Sequence, residues 1–242
     1  REERADGVAG RILPRWTTPR PVWLTDQMAL RFGALGCLDH GPHRRSSRDR
    51  HDCRWVGGNL AIRRAVVSQV GGYDPCMGRA QDTEYYTRCV QRRLAIVYDP
   101  ATLAYHKIWP DRMTPAYLRQ WHHATGYSHA YLLPWRPAHL VTVMPLGWYR
   151  QTARVLVYWL SNVLTRGPWV ECLWWELGVR ESLSVLRHRL ALWPRWCRAV
   201  LTGWHREVME MSKSVLHGSA GIRGTQGSIG HRGGDRSGAY PF

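Results

Sequence analysis

The chain has 242 residues, 44% of them hydrophobic, and carries 34 Lys+Arg against 18 Asp+Glu for a formal net charge of +16. That apolar content is enough to bury a core and excludes wholesale disorder, and the length suits one large domain or two small ones. The basic side chains are Arg except for Lys107 and Lys213. The excess reads either as compositional bias towards Arg or as a surface drawn to anionic lipid headgroups, phosphate-bearing substrates or nucleic acid. Six cysteines without a C-x-x-C spacing argue against a disulfide scaffold and a cysteine metal site, and for a reduced cytosolic chain. The charged opening REERADG is followed by no apolar signal-peptide core. Because the chain opens without Met and close to a strand, we expect residues upstream of Arg1.

In chain order, residues 8–13 read as a short strand closed by Pro14, and 16–24 as a Pro- and Trp-bearing extended connector. A short helix is expected over 26–36 with Asp26 as its N-cap. The basic run at 41–54 reads as a solvated loop, with a second role as a flap over an anionic ligand. Gly57-Gly58 leads into a strand at 59–62, and a helix over 63–70 stops at Gly71-Gly72. Tyr85, Cys89 and Val90 fall at helical spacing in 82–93, with Asp82 or Thr83 at the start. A strand at 94–100 is halted by Asp-Pro, and 102–106 forms a second extended piece. The first half is therefore α/β.

Past Pro110 the texture turns helical. A helix begins at Pro115, and two more cover 151–165 and 169–192, divided by Gly167-Pro168. The apolar segment 155–164 has ten residues between Arg154 and Arg166, whereas a membrane span needs about 20, so a crossing helix is disfavoured. Trp and Arg alternate here without a balancing acidic face. That pattern suits helices lying in a membrane interface as well as amphipathic helices packed on the preceding domain. We expect domains at 1–130 and 131–210, then a disordered Gly/Ser/Arg tail at 211–242. With few aromatic residues in that tail, nucleic acid is not an expected partner.

The chemistry concentrates between Trp55 and Lys107. Asp82 opens a helix, where the dipole favours the ionised carboxylate that a general base needs; the same position also suits a plain N-cap. His106 ends a strand, where an imidazole either packs or binds a divalent ion. In order, GGNLAIRR, VGGYDP, QDTEYYTR and IVYDPATLAYHK resemble the second half of an inverting family 2 glycosyltransferase of GT-A fold. The resemblance covers residues 8 to about 130 and includes RILP at 11–14.

The resemblance implies a partial GT-A fold, α/β with a mixed sheet and flanking helices, followed by C-terminal amphipathic helices. It implies sugar transfer from a nucleotide-sugar donor to a glycan or lipid-linked acceptor in cell-envelope synthesis. It makes Asp82 the catalytic base, His106 a ligand of Mg2+ or Mn2+, and Gly57, Gly58, Asn59 and Gln81 the substrate-binding residues. Gln81 stands where the family usually carries Glu, and no Asp-x-Asp metal motif occurs anywhere in the chain. An anionic membrane surface is the expected partner, at the cytoplasmic face of the plasma membrane. The alternatives are a non-catalytic basic module bound to membrane or RNA, and an inactive truncated product.

Overall fold

A computed structural model describes residues 5–48, 54–75, 77–133, 135–136 and 138–201. The tail expected at 211–242 lies outside the described residues. The chain divides into two units, 1–194 and 195–242. Of the second unit only 195–201 are described, and they are helical.

The first unit is α/β, with a four-stranded mixed sheet in the order β2-β4-β1-β3 and helices flanking it. Strand β1 (Gly7–Trp16) pairs parallel with β4 (Ile96–Ile108) and antiparallel with β3 (Leu60–Ile62). Pro14 does not end β1, because β3 reaches only Gly7–Ala9 and a single bridge to Leu38 follows at Ile12. Beyond that bridge β1 is bordered by β4 alone, and an edge tolerates a proline.

The two extended pieces expected at 94–100 and 102–106 are one strand. Asp-Pro does not halt it but opens a bulge: Gly10 pairs with Asp99 and the next residue, Arg11, with Leu103. Inside the expected basic loop, β2 (Arg45–Ser46) pairs antiparallel with β4 and forms the sheet edge. Ser47 Oγ donates to the Leu94 carbonyl and accepts from the Ile96 amide, and Arg44 pairs with Asp99. This part of the run is tied down rather than solvated; 49–53 lie outside the described residues.

Helix α1 (Asp26–Arg31) is shorter than expected and is capped by Thr25, whose hydroxyl accepts from the Met28 amide at 3.2 Å. Asp26 serves instead as acceptor for the Trp16 indole and the Arg20 guanidinium. A 3-10 turn at Gly33–Leu35 continues the chain. Helix α2 (Arg64–Val70) stops at Gly71, and α3 (Gln81–Gln91) begins one residue before Asp82. Tyr85, Tyr86 and Cys89 turn the buried face of α3 onto Trp55, Val66, Val70 and Ile96.

Helix α4 (Pro115–Leu132) starts from Thr114, which caps the Tyr117 amide, with proline in the first turn as expected. After the short α5 (His139–Thr142) come α6 (Leu146–Leu164) and α7 (Trp169–Leu201). Helix α6 starts earlier than residue 151, and α7 runs past 192 with Pro194 inside it. Leu173 and Leu177 of α7 join Phe32, Leu35, Ile108 and Leu118 in one apolar cluster. Among the described residues no helix is long and apolar enough to cross a membrane.

Candidate functional site

Three segments converge at the start of α3. The first residue before it, Ala80, has a left-handed φ of 55° and offers no side-chain cap. Asp82 is thus the second helical residue, not the N-cap, and its carboxylate is held from two sides. Oδ1 accepts from the Thr83 amide at 2.8 Å, and Oδ2 accepts from the Gly57 amide at 3.3 Å. The buried Trp55 indole donates to the Asp82 carbonyl at 3.0 Å. One residue therefore fastens the segment 55–57 to the helix through both its side chain and its backbone.

Gly57 and Gly58 form a 3-10 turn with Asn59 and are exposed. A Cβ on Gly57 would lie 3.5 Å from the Tyr73 hydroxyl, and one on Gly58 3.7 Å from Ile12 Cδ1, both ordinary contacts. The fold does not itself demand glycine at either position, so the bare backbone leaves room for something outside the chain. Asn59 is different. Its amide nitrogen donates to the Arg11 carbonyl at 3.0 Å and the Thr102 carbonyl at 2.9 Å, clasping the β1/β4 bulge. A Cβ on Gly10 would come within 2.0 Å of Thr102 O and 2.2 Å of Asn59 Nδ2, so glycine is required where these groups meet.

Gln81 also turns inward: its Nε2 donates to the Met77 carbonyl at 2.7 Å. Of the four residues expected to bind substrate, Asn59 and Gln81 have their side-chain amide nitrogens engaged within the chain, and the two glycines are exposed, with the Gly57 amide donating to Asp82. Tyr73, in the GGYDP turn, is the residue that sequence reasoning passed over. It packs on Tyr85 with ring centroids 5.0 Å apart, beside Gly57. Burial, and then the negative charge of Asp82, push its pKa up, which keeps the phenol protonated and a donor. Only its place in a turn rich in glycine, eight residues before Gln81, pointed to it.

The turn is braced from behind by Arg88. Its guanidinium pairs with Glu84 at 2.6 Å and donates to the Val70 and Gly72 carbonyls, each at 2.7 Å. Burial pushes the Cys37 thiol up to about 12 and the Cys89 thiol up to about 11, so neither is a ready nucleophile.

His106 belongs to another part of the sheet, four residues along β4 from Thr102, or roughly 13 Å at strand rise. Its ring lies against Gly36, where a Cβ would approach Cε1 to 3.2 Å. Burial lowers its pKa, the Arg112 charge lowers it further, and the Leu35 backbone opposes both. Its buried Nδ1 has no hydrogen-bond partner among the described residues. No described contact joins His106 to Asp82. Among the described residues no three His, Cys, Asp or Glu side chains are grouped to hold a metal. A lone imidazole beside an Arg does not fit a hard divalent ion, which needs several oxygen ligands.

Comparison with known proteins returns nothing: no family model, no curated protein and no solved structure matches the chain.

Proposed function

We propose that this chain is the acceptor-side part of an inverting, nucleotide-sugar-dependent glycosyltransferase of family 2, built on part of a GT-A fold. The observation that carries the reading is Asp82, a carboxylate held by two backbone amides at a helix start, facing an exposed Gly-Gly turn. Such a group suits a general base that takes the proton from an acceptor hydroxyl as its oxygen attacks the anomeric carbon and the nucleoside diphosphate departs. The Tyr73 phenol beside it suits an acceptor's second oxygen. Gly57 and Gly58 leave open backbone where a sugar ring would lie, while Asn59 and Gln81 hold the turn and the helix start.

On this reading any Mg2+ or Mn2+, and through that ion the donor diphosphate, would be held by carboxylates outside these 242 residues, because the chain contains no Asp-x-Asp. The acceptor is a glycan or lipid-linked intermediate at the cytoplasmic face of the plasma membrane. The basic surface then serves attachment to anionic lipid rather than recognition of nucleic acid.

The test is release of nucleoside diphosphate from a panel of nucleotide sugars, by a protein that joins this chain to an Asp-x-Asp-bearing segment encoded beside it. Asp82→Asn is expected to lower turnover by about 10²-fold to 10⁴-fold with nucleotide binding retained. Turnover equal to that of the unaltered protein would remove Asp82 as the base. Failure to find an Asp-x-Asp segment would end the enzyme reading and leave the non-catalytic membrane module.

A further inference from the structure

Helix α6 contributes no fully buried residue to the fold. Its half-buried positions, Trp148, Thr152, Val155, Trp159 and Asn162, recur every three or four residues and form one inward stripe. That stripe meets α7: Val155 lies against Gly178, where a Cβ would approach to 2.9 Å, and Tyr158 at its border stacks on Trp175 at 4.8 Å.

At about 100° per residue, the opposite side divides in two. One strip carries Leu146, Leu156, Val157, Leu160, Val163 and Leu164, all exposed, with Val157 at 63% and Leu164 at 80%. Beside it runs a polar edge of Arg150, Arg154 and Ser161. No Asp or Glu occurs between Asp111 and Glu171, so nothing along α6 neutralises those arginines. An apolar strip of this size on a solvent face needs a cover.

We propose that α6 lies flat on an anionic lipid surface, with its leucine and valine strip among the acyl chains and Arg150 and Arg154 on lipid phosphates. A cover of the opposite charge is what this face lacks. A second copy meeting this face with its own α6 would bring the same arginine edge without a carboxylate to meet it. RNA would match the arginines and leave the apolar strip in water. An anionic bilayer interface supplies phosphates and hydrocarbon at adjacent depths, in the order in which α6 presents their partners. This deepens the membrane part of the proposed function and is independent of sugar transfer.

The experiment is flotation of the full chain with phosphatidylglycerol-containing vesicles, with pure phosphatidylcholine vesicles, and with RNA as competitor. The full chain is expected to float with the anionic vesicles and to lose most of its binding in high salt. Arg150→Gln with Arg154→Gln should weaken partition by about 30-fold, at about fivefold per arginine. Val157→Asp with Leu160→Asp should abolish flotation while the circular dichroism spectrum is kept. Hydrogen exchange on the unaltered protein avoids any question of folding: vesicles should slow exchange over 146–164 selectively.

Flotation that survives both double variants, with no protection over 146–164, overturns the assignment to α6 and leaves membrane attachment elsewhere in the chain. Absence of flotation with either vesicle overturns both. Protection of α6 that appears with protein concentration, or with RNA, in place of vesicles assigns the face to self-association or to nucleic acid and overturns the proposal. None of these results depends on turnover, which judges the sugar-transfer reading separately.

Discussion

The two ends of the first unit hold themselves together by different means. In the sheet region, positions are set by backbone groups and small residues: Asn59 clasps two carbonyls, Gly10 makes room for the clasp, and Asp82 accepts from two amides. In the helical region, α7 is fastened by three glutamates, each to an Arg or His side chain on another helix. Glu171 pairs with Arg31 at 2.6 Å, Glu176 with Arg119 at 2.8 Å, and Glu181 with His122 and His129, both at 2.7 Å. Backbone clasps tolerate almost no added volume, whereas charge pairs depend on protonation. The site sits in the first kind of region, where a turn can be placed closely; the exposed α6 sits in the second.

If that contrast is right, the largest effect belongs to Gly10→Ala. Its methyl carbon would lie 2.0 Å from a backbone oxygen that cannot move without reopening the bulge, so a loss of about 3 kcal/mol or more is expected in urea unfolding. A loss below about 1 kcal/mol would mean that the bulge is soft.

Glu181→Gln is next, with an expected loss on the order of 2–3 kcal/mol at neutral pH from weakening two hydrogen bonds to a charged group. Burial opposes ionisation of Glu181, but the bonds from His122 and His129 outweigh it and hold its pKa at about 2, against an ordinary 4.5. The folded value is the lower one. Its stabilisation is therefore complete above the ordinary carboxylate range and is lost as the pH falls through about 2. Melting temperatures of the unaltered protein and of the Gln variant should converge across that window; a constant gap down to pH 2 would contradict the pairing.

Asn59→Ala removes two hydrogen bonds from the clasp and should cost about 1–2 kcal/mol with little dependence on pH, in contrast to Glu181. Thr25→Ala is the mildest, about 1 kcal/mol for a helix cap, measured by thermal melting, and Thr25→Ser should keep most of the stability. No loss in Thr25→Ala would mean that the Thr25 hydroxyl does not cap α1.

Much of this was legible in the chain. Pro115 announces the start of α4, Gly71 the end of α2, and the spacing of Tyr85, Cys89 and Val90 the body of α3. What escaped was decided by partners distant in sequence. Asp99-Pro100 looks like a strand end, yet a parallel neighbour absorbs it as a bulge. The glutamates of α7 are spaced by five, so successive side chains point about 140° apart and form no acidic stripe. The arginines therefore look unbalanced in sequence, although each glutamate meets an Arg or His from another helix.

The sequence by itself determined the α/β character of the first half, the helical second half, and the Gly-Gly-Asn, GGYDP and Gln-Asp segments as the chemically suggestive ones. Those properties follow from local propensity and periodicity, which neighbouring residues carry. Only the tertiary structure decided that Asp82 grips the Gly57 amide, that Asn59 and Gln81 are engaged inside the chain, and that His106 stands apart from them. Hydrogen bonds across 25 to 48 residues depend on how the strands register. Register is set by packing and by one required glycine rather than by any local pattern.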